Sequence, residues 1–284
     1  MSQYADPYAG KGRWWKGNLH THTAGSDGSL PAEEVMRLYA LKGYDFLALT
    51  DHGVFTEAPP DGTGSRPLWI PGFEFGHGRE HHMLCLGVGQ SYGGSCQQAL
   101  DATHALGGMG ILCHPNWLRE DYWSPDAMRA LHHFAGLEVF NFVITRHPGR
   151  TTATDDWDLL LTTGHLVWGY ANDDSHSPDD IGRAWNMVLA PSLSVEAVLF
   201  HLRSGHCYST TGLLFDDIGL RDGEIRVRVA DGCTVRFVGP HGEVLAELPG
   251  PEASFAPRGQ QYVRVEAEGP AGKAWSQPFW LVRP

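Results

Sequence analysis

Residues 31–53 read PAEEVMRLYALKGYDFLALTDHG, and this stretch decides the fold class. Pro31 suits a first helical turn, Glu33 and Glu34 favour its positive end, and Gly43 fits the stop. Val35, Leu38, Tyr39 and Leu41 fall near helical spacing. DFLALTDHG then reads as a buried strand that ends in a polar tip. The same pattern recurs outward along the chain in GMGILCHP (108–115), GLEVFN (136–141) and HLVWGYANDDSH (165–176). Each is an apolar run whose last residues are His, Asp, Glu or Asn. From about Trp15 to residue 190, short apolar runs alternate with amphipathic stretches, as in βα units around a parallel sheet. Sites in such folds gather at the carboxyl ends of the strands, so several polar tips predict one shared site.

SVEAVLFHLRSG (194–205) reads as a late helix stopped by Gly205. After CYSTTG (207–212) the texture changes: EIRVRVADGCTVRFVGPHGEVLAEL and QYVRVEAEG alternate, with Asp-Gly and His-Gly turns. Residues 1–212 are therefore read as an α/β domain and 213–284 as a small antiparallel β domain. That domain would cover the mouth of the larger one, mediate self-association or bury one of its ends, and CYSTTG could reach the site. Residues 54–68, VFTEAPPDGTGSRPL, are rich in Pro and Gly and read as a surface loop.

The 284 residues carry a net charge of -12, which argues against an extended nucleic-acid-binding face. No run reaches the roughly 18 apolar residues of a membrane span, and no leader is evident, so a soluble cytoplasmic protein is expected. Five scattered cysteines show no CxxC spacing and read as small apolar fillers. The sixteen histidines against four lysines raise the prior for a metal site.

Two histidines one residue apart, His20 and His22 in GNLHTHTAGSDG, point to one face of a strand and could grip one ion. Asp27 follows in a Ser-Asp-Gly turn, and His52 ends the next strand. Glu74 sits in PGFEF, His82 begins HMLCLG, His114 closes ILCHP, and Asp174 and His176 form a DxH pair. Imidazoles and carboxylates without thiolates suit Mn, Fe or Zn. No GxSxG elbow or P-loop is present.

The order HxH…D…DH…E…H…HP…DxH, over residues 18 to about 178, resembles the PHP (polymerase and histidinol phosphatase) family. The stretches 157–177 and 181–212 and the trailing β domain look like its carbaryl-hydrolase-like branch, whose members mostly lack a known substrate. The resemblance implies a distorted (β/α)7 barrel holding two or three divalent ions at its strand ends. By family pattern His20, His22, Glu74 and Asp174 would hold one ion. Glu74, His82 and His114 would hold a second, and Asp27, His52 and His176 a third. His52 or His176, if freed from the third ion, would protonate the leaving group.

Other residues carry two readings each. Arg183 and Arg146 would clamp a phosphate or pair with Asp179 or Asp180. Asp51 and Asp173 would orient neighbouring ligands or, for Asp173, face solvent. Glu138 and Asn141 would touch the site or hold a loop. Trp117, Tyr122 and Trp123 would stack on an aromatic leaving group or pack the rim. His81 would lie behind His82 or be exposed, whereas His77, His132 and His133 match no ligand position. The expected activity is hydrolysis of a phosphoester on a small molecule. A carboxylic or carbamate ester is the alternative, and a metal-stabilised binding module comes third. Arginines facing the ions would favour the phosphate, and an apolar pocket walled by Trp117 and Trp123 an aryl ester. Self-association is left open.

Overall fold

The computed structural model describes residues 3–58 and 67–282, so residues 59–66 of the expected surface loop lie outside the described residues. The chain opens with β1 (Gln3–Ala5) and β2 (Arg13–Asn18), then forms α1 (Ala32–Leu41) and β3 (Phe46–Ala48). α1 has Pro31 before it, Glu33 and Glu34 in its first turn, and Gly43 after it at a φ of 72°. Its inward face is Val35, Met36 and Tyr39, while Leu41 is 71% exposed, so the apolar stripe is turned by one residue from the expected one.

β3 runs parallel to β2 and to β4 (Leu68–Ile70), as the βα reading requires. The next segment departs from it. β5 (Gly72–Phe75) follows β4 after Pro71 alone, and β6 (Met83–Leu86) and β7 (Met109–Leu112) are each antiparallel to the strand before them. A parallel crossover needs a dozen residues or more, and residues 76–82 between β5 and β6 are too few. Helices α2 (Cys96–Ala105), α3 (Pro125–Arg129) and α4 (Thr154–Thr162) lead into β7, β8 (Phe134–Asn141) and β9 (Trp168–Asn172), and β7, β8 and β9 are parallel. β10 (Trp185–Ala190) pairs antiparallel with β2; after α5 (Val195–Arg203), β11 (Cys207–Thr210) pairs antiparallel with β10.

The result is a mixed α/β protein richer in sheet than the regular (β/α)7 pattern. Two sheets, β10-β2-β3-β4 and β5-β6-β7-β8-β9, replace one continuous barrel wall. They are joined by parallel bridges, Thr21 to Ser175 just past the ends of β2 and β9, and His52, past β3, to Glu74 within β5. The seams thus fall on His52 and Glu74 and between the flanking pairs His20–His22 and Asp174–His176.

The remaining strands are β12 (Asp217–Arg221), β13 (Glu224–Arg228), β14 (Thr234–Val238), β15 (Val244–Pro249), β16 (Glu252–Phe255), β17 (Tyr262–Gly269), β18 (Gly272–Ser276) and β19 (Phe279–Val282). All their pairings are antiparallel. Asp222 and Gly223, with φ of 54° and 82°, close the β12–β13 hairpin with the left-handed pair that a two-residue turn demands. β18 pairs with β11, so one sheet runs from these strands through β10 and β2 to β4.

This unit packs beside α4 and the start of β9. Buried Arg264 on β17 donates from Nε and Nη2 to the two oxygens of Asp158 in α4, at 2.7 and 2.6 Å, and the Tyr262 hydroxyl donates to the same carboxylate at 2.8 Å. Gln277 accepts from the Gly169 N–H and donates to the Gly169 carbonyl. Gly169 lies at the beginning of β9, whereas Asp174 and His176 follow its end. The β unit therefore buries the end of the α/β layer away from these residues and does not cover its mouth. CYSTTG likewise turns away: Thr210 and Thr211 bond the carbonyl of Lys273. No helix among the described residues is long and apolar enough to cross a membrane.

Candidate metal centre

β2 delivers the chain to His20 and His22 in extended form, so both rings point one way and the intervening Thr21 hydroxyl turns to Tyr39. The two Nε2 atoms stand 3.2 Å apart. Each is 3.2 Å from Glu74 Oε2 and 3.2 or 3.1 Å from Asp174 Oδ1. Four ligand atoms spaced in this way leave a centre about 2.0 Å from each, the reach of an ion bound by imidazole and carboxylate.

Glu74 is the hub. Besides those two contacts, Oε2 lies 2.9 Å from His52 Nδ1, and Oε1 faces His82 Nδ1 at 3.1 Å and His114 Nε2 at 3.6 Å. A third group gathers at the rim: Asp27 reaches His22 Nδ1 and His176 Nε2 at 3.5 Å and His52 Nε2 at 3.6 Å. All nine residues singled out as ligands thus converge. The groupings differ in detail from the expected ones. His22 joins the Asp27 group, His82 gathers with His52 and Glu74, and His114 gathers with His20, Glu74 and Cys113. Burial pushes the Cys113 thiol well above its usual range, so it stays protonated.

Both oxygens of Glu74, Oδ1 of Asp174 and both ring nitrogens of His82 are buried without a hydrogen-bond partner. Stranding that many polar atoms costs several kcal/mol unless something binds them, and the close approach of nitrogen and carboxylate oxygen atoms around Glu74 suits a cation. Burial drives His20 down, yet the carboxylates of Asp174, Glu74 and Glu138 outweigh it and hold His20 well above its usual pKa. Burial likewise raises Glu74 and Asp174, and the surrounding imidazoles, His20 first, pull both far below the carboxylate range. His82 is pushed down by burial and so is a neutral imidazole. Imidazoles whose protons a metal can displace, set among ionised carboxylates, suit Mn, Fe or Zn.

The surrounding residues orient these ligands. Glu138 accepts from His20 Nδ1 at 2.8 Å, from the His114 backbone N–H at 2.8 Å, and from the Asn141 and Asn172 amides at 2.7 and 2.9 Å. With its Nδ1 proton committed to Glu138, His20 would offer Nε2 to an ion that displaces its second proton. His52 and His176 are set in the same sense, their Nδ1 atoms lying 3.0 and 2.8 Å from the carbonyls of Gly76 and Asp174. The Tyr122 hydroxyl stands 2.9 Å from His114 Nδ1. Asp51 does not orient His52; it accepts from Thr23 N and Oγ1 and from Ser26 Oγ, bracing the loop that carries Asp27. Within that loop Gly28 passes so close to His22 that a Cβ would sit 2.6 Å from its carbonyl carbon. Asp173 does not face solvent: it is buried, accepting from the N–H groups of Gly182, Arg183 and Ala184 and from the Tyr39 hydroxyl. His114 and Asp174 have φ of 32° and 52°, strained conformations of the kind tolerated at functional sites.

Arg183 is not brought to the cluster. It is exposed; its Nε donates to the Asp179 carbonyl at 2.9 Å, and its guanidinium lies over Phe142. Arg146 pairs with Asp180 at 2.9 Å. The cleft above the cluster, about 310 Å³, is lined instead by Trp117, Val143 and two further histidines, His77 and His147. Sequence reasoning gave His77 no role and passed over His147. The signal for His147 was available, since His147-Pro148 repeats the His114-Pro115 dipeptide. His132 and His133 lie elsewhere, with His133 paired to Asp101 on the surface.

No family model matches the sequence, and no curated protein matches it. Among solved structures, a two-domain protein from Bacteroides vulgatus, described as containing a predicted PHP-like metal-dependent phosphoesterase, is similar over 97% of this chain and 95% of its own. The identity is 15% and the TM-score 0.53. An amidohydrolase from Chromobacterium violaceum matches 57% of this chain and 88% of its own at 18% identity and a TM-score of 0.44. A lesion-specific endonuclease from Pyrococcus furiosus matches 68% of this chain and 56% of its own at 15% identity and a TM-score of 0.47. The first of these shows that the chain shares, along its whole length, the fold of a two-domain PHP-like protein.

Proposed function

We propose that this chain is a metal-dependent hydrolase that cleaves a phosphoester on a small molecule, using two or three Mn, Fe or Zn ions. It would be a PHP protein of the carbaryl-hydrolase-like branch, with a heavily modified (β/α)7 barrel over residues 1–212 and a β domain over 213–284. The observation that carries the reading is Glu74, a buried carboxylate with no hydrogen bond and five imidazoles directed at its two oxygens.

His20, His22, Glu74 and Asp174 would hold one ion, Glu74 with His82 and His114 a second, and Asp27 with His52 and His176 a third. Bound there, divalent ions supply a nucleophilic hydroxide at neutral pH and positive charge for the oxygens of the reacting group. The protein's part is to keep the ligand lone pairs aimed inward, through Glu138, Tyr122 and the Gly76 and Asp174 carbonyls. His176 is the candidate acid. Burial lowers it, but the bond to Asp27 and the charge of Asp174 raise it to about 9, so Nε2 carries a proton whenever the Asp27 group is otherwise empty. His52 is raised to about 9 against burial by Glu74 and can serve in the same way.

Hydrolysis of a carboxylic or carbamate ester is favoured by one observation: among the described residues, no arginine lines the cleft. Phenyl phosphate, bis-p-nitrophenyl phosphate and p-nitrophenyl acetate, assayed with Mn-, Fe- and Zn-loaded protein, separate the readings. Turnover of either phosphate above the acetate is expected. Acetate turnover alone would replace the leading reading with the second, and no turnover by metal-loaded protein would overturn both.

A further inference from the structure

Beside the metal cleft runs a second groove, about 890 Å³, which shares Trp117 with it; its aromatic lining is His81, Trp117, Tyr122 and Trp123, and its charged lining is Arg119, Asp121 and Arg150. Most of the groove comes from residues 115–124, of which Trp117 reaches the metal cleft as well. Trp117 presents its edge to His82 and His114, with ring centroids 5.9 and 5.1 Å apart at 80°, and carries the Arg119 guanidinium 4.0 Å from its ring centre. Tyr122, bonded to His114 Nδ1, stacks on His81 at 10°, and His81 packs on Trp123 at 4.3 Å.

Cohesion in this loop comes largely from ring faces. Trp123 Nε1, His81 Nε2 and Arg119 Nη1 are all shielded from water and find no hydrogen-bond partner. The groove has the size of a small-molecule site and the composition of one, aromatic walls with a few polar groups. Trp117 lies on the rim that the two cavities share, so a substituent of an ester held at Glu74, His82 and His114 that extends past Trp117 enters this groove.

Resting on the hydrolase reading above, we infer that this groove receives a planar aromatic leaving group, with Trp117 as the specificity-determining residue that separates aryl from alkyl esters. Stacking on the aromatic walls supplies the attraction.

Phenylphosphonate and methylphosphonate present the same head group with and without a ring. Their binding to metal-loaded protein by calorimetry, beside the ester assays, tests the inference. Phenylphosphonate is expected to bind about tenfold tighter. Trp117→Leu should erase that preference and Trp117→Phe should restore most of it, the methylphosphonate affinity of each variant serving as its own reference. Trp123→Ala, farther from the ligands, should weaken phenylphosphonate alone and keeps the test open if Trp117→Leu does not fold. Equal binding of the two phosphonates, or equal weakening of both by Trp117→Leu and Trp123→Ala, overturns the inference while ester turnover keeps the hydrolase reading. Absence of ester turnover removes that reading on separate grounds.

Discussion

At the scale of single residues, Glu138 makes the sharpest claim after the ligands themselves. It accepts from His20 Nδ1, fixing the tautomer that frees Nε2. Glu138→Gln keeps the shape but cannot hold both His20 and the two amides as an anion does, so metal affinity should fall about 10- to 100-fold with the fold intact. Competition with a fluorescent chelator reads this directly, and an unchanged affinity would mean that Glu138 only fills space. The rim histidines give a pH signature in metal-free protein. His52 and His176 are raised to about 9 against an unfolded value near 6.5. A group raised on folding contributes stability that is complete below the unfolded value and disappears as pH rises through the folded one. The melting temperature of chelated protein should therefore drop between about pH 6.5 and 9; a rise over that window would refute the geometry of the Asp27 group. Of the nine candidate ligands, His52, His114 and the Asp174–His176 pair were legible because they follow apolar runs, a pattern written locally in sequence, whereas Asp27 in its turn and His82 at the start of a run came from the order of residues in the resemblance. The placement of Arg183 was not legible, because its partner is the carbonyl of Asp179, set by the turn at residues 178–182 and unmarked by any residue type.

At the scale of elements, α1, α5 and the strands that carry the candidate ligands follow from periodicity and end signals. Direction does not. An apolar run such as HMLCLG reads the same whether its neighbour is parallel or antiparallel, and only the shortness of 76–82 betrays the reversal at β5–β6–β7. The contact between β17 and α4 was equally silent, since Asp158 and Arg264 are 106 residues apart. This pair is buried, bidentate and completed by Tyr262, and without Asp158 the buried guanidinium keeps only Glu266, 2.6 Å from Nη1. Asp158→Ala should therefore cost about 3 kcal/mol in denaturant unfolding, the low end for a broken buried pair, and a double change with Arg264→Met should recover part of it. A loss below about 1 kcal/mol in Asp158→Ala would show that the two layers are held by apolar packing alone.

At the scale of the whole molecule, the α/β layer puts its strand ends together on one side, while the β unit closes the opposite end and extends the same sheet. Texture revealed that unit's antiparallel character, but not where it docks, because the face it covers is apolar in either case. The central claim is that this architecture builds a polynuclear metal site around Glu74. The most direct measurement is metal content by mass spectrometry after reconstitution of wild type, Glu74→Gln and Asp27→Asn. Two or three ions per chain in wild type are expected, none or one in Glu74→Gln, and a loss of one at most in Asp27→Asn, each variant retaining the wild-type circular dichroism. A folded Glu74→Gln protein that still binds the full wild-type complement would contradict the account.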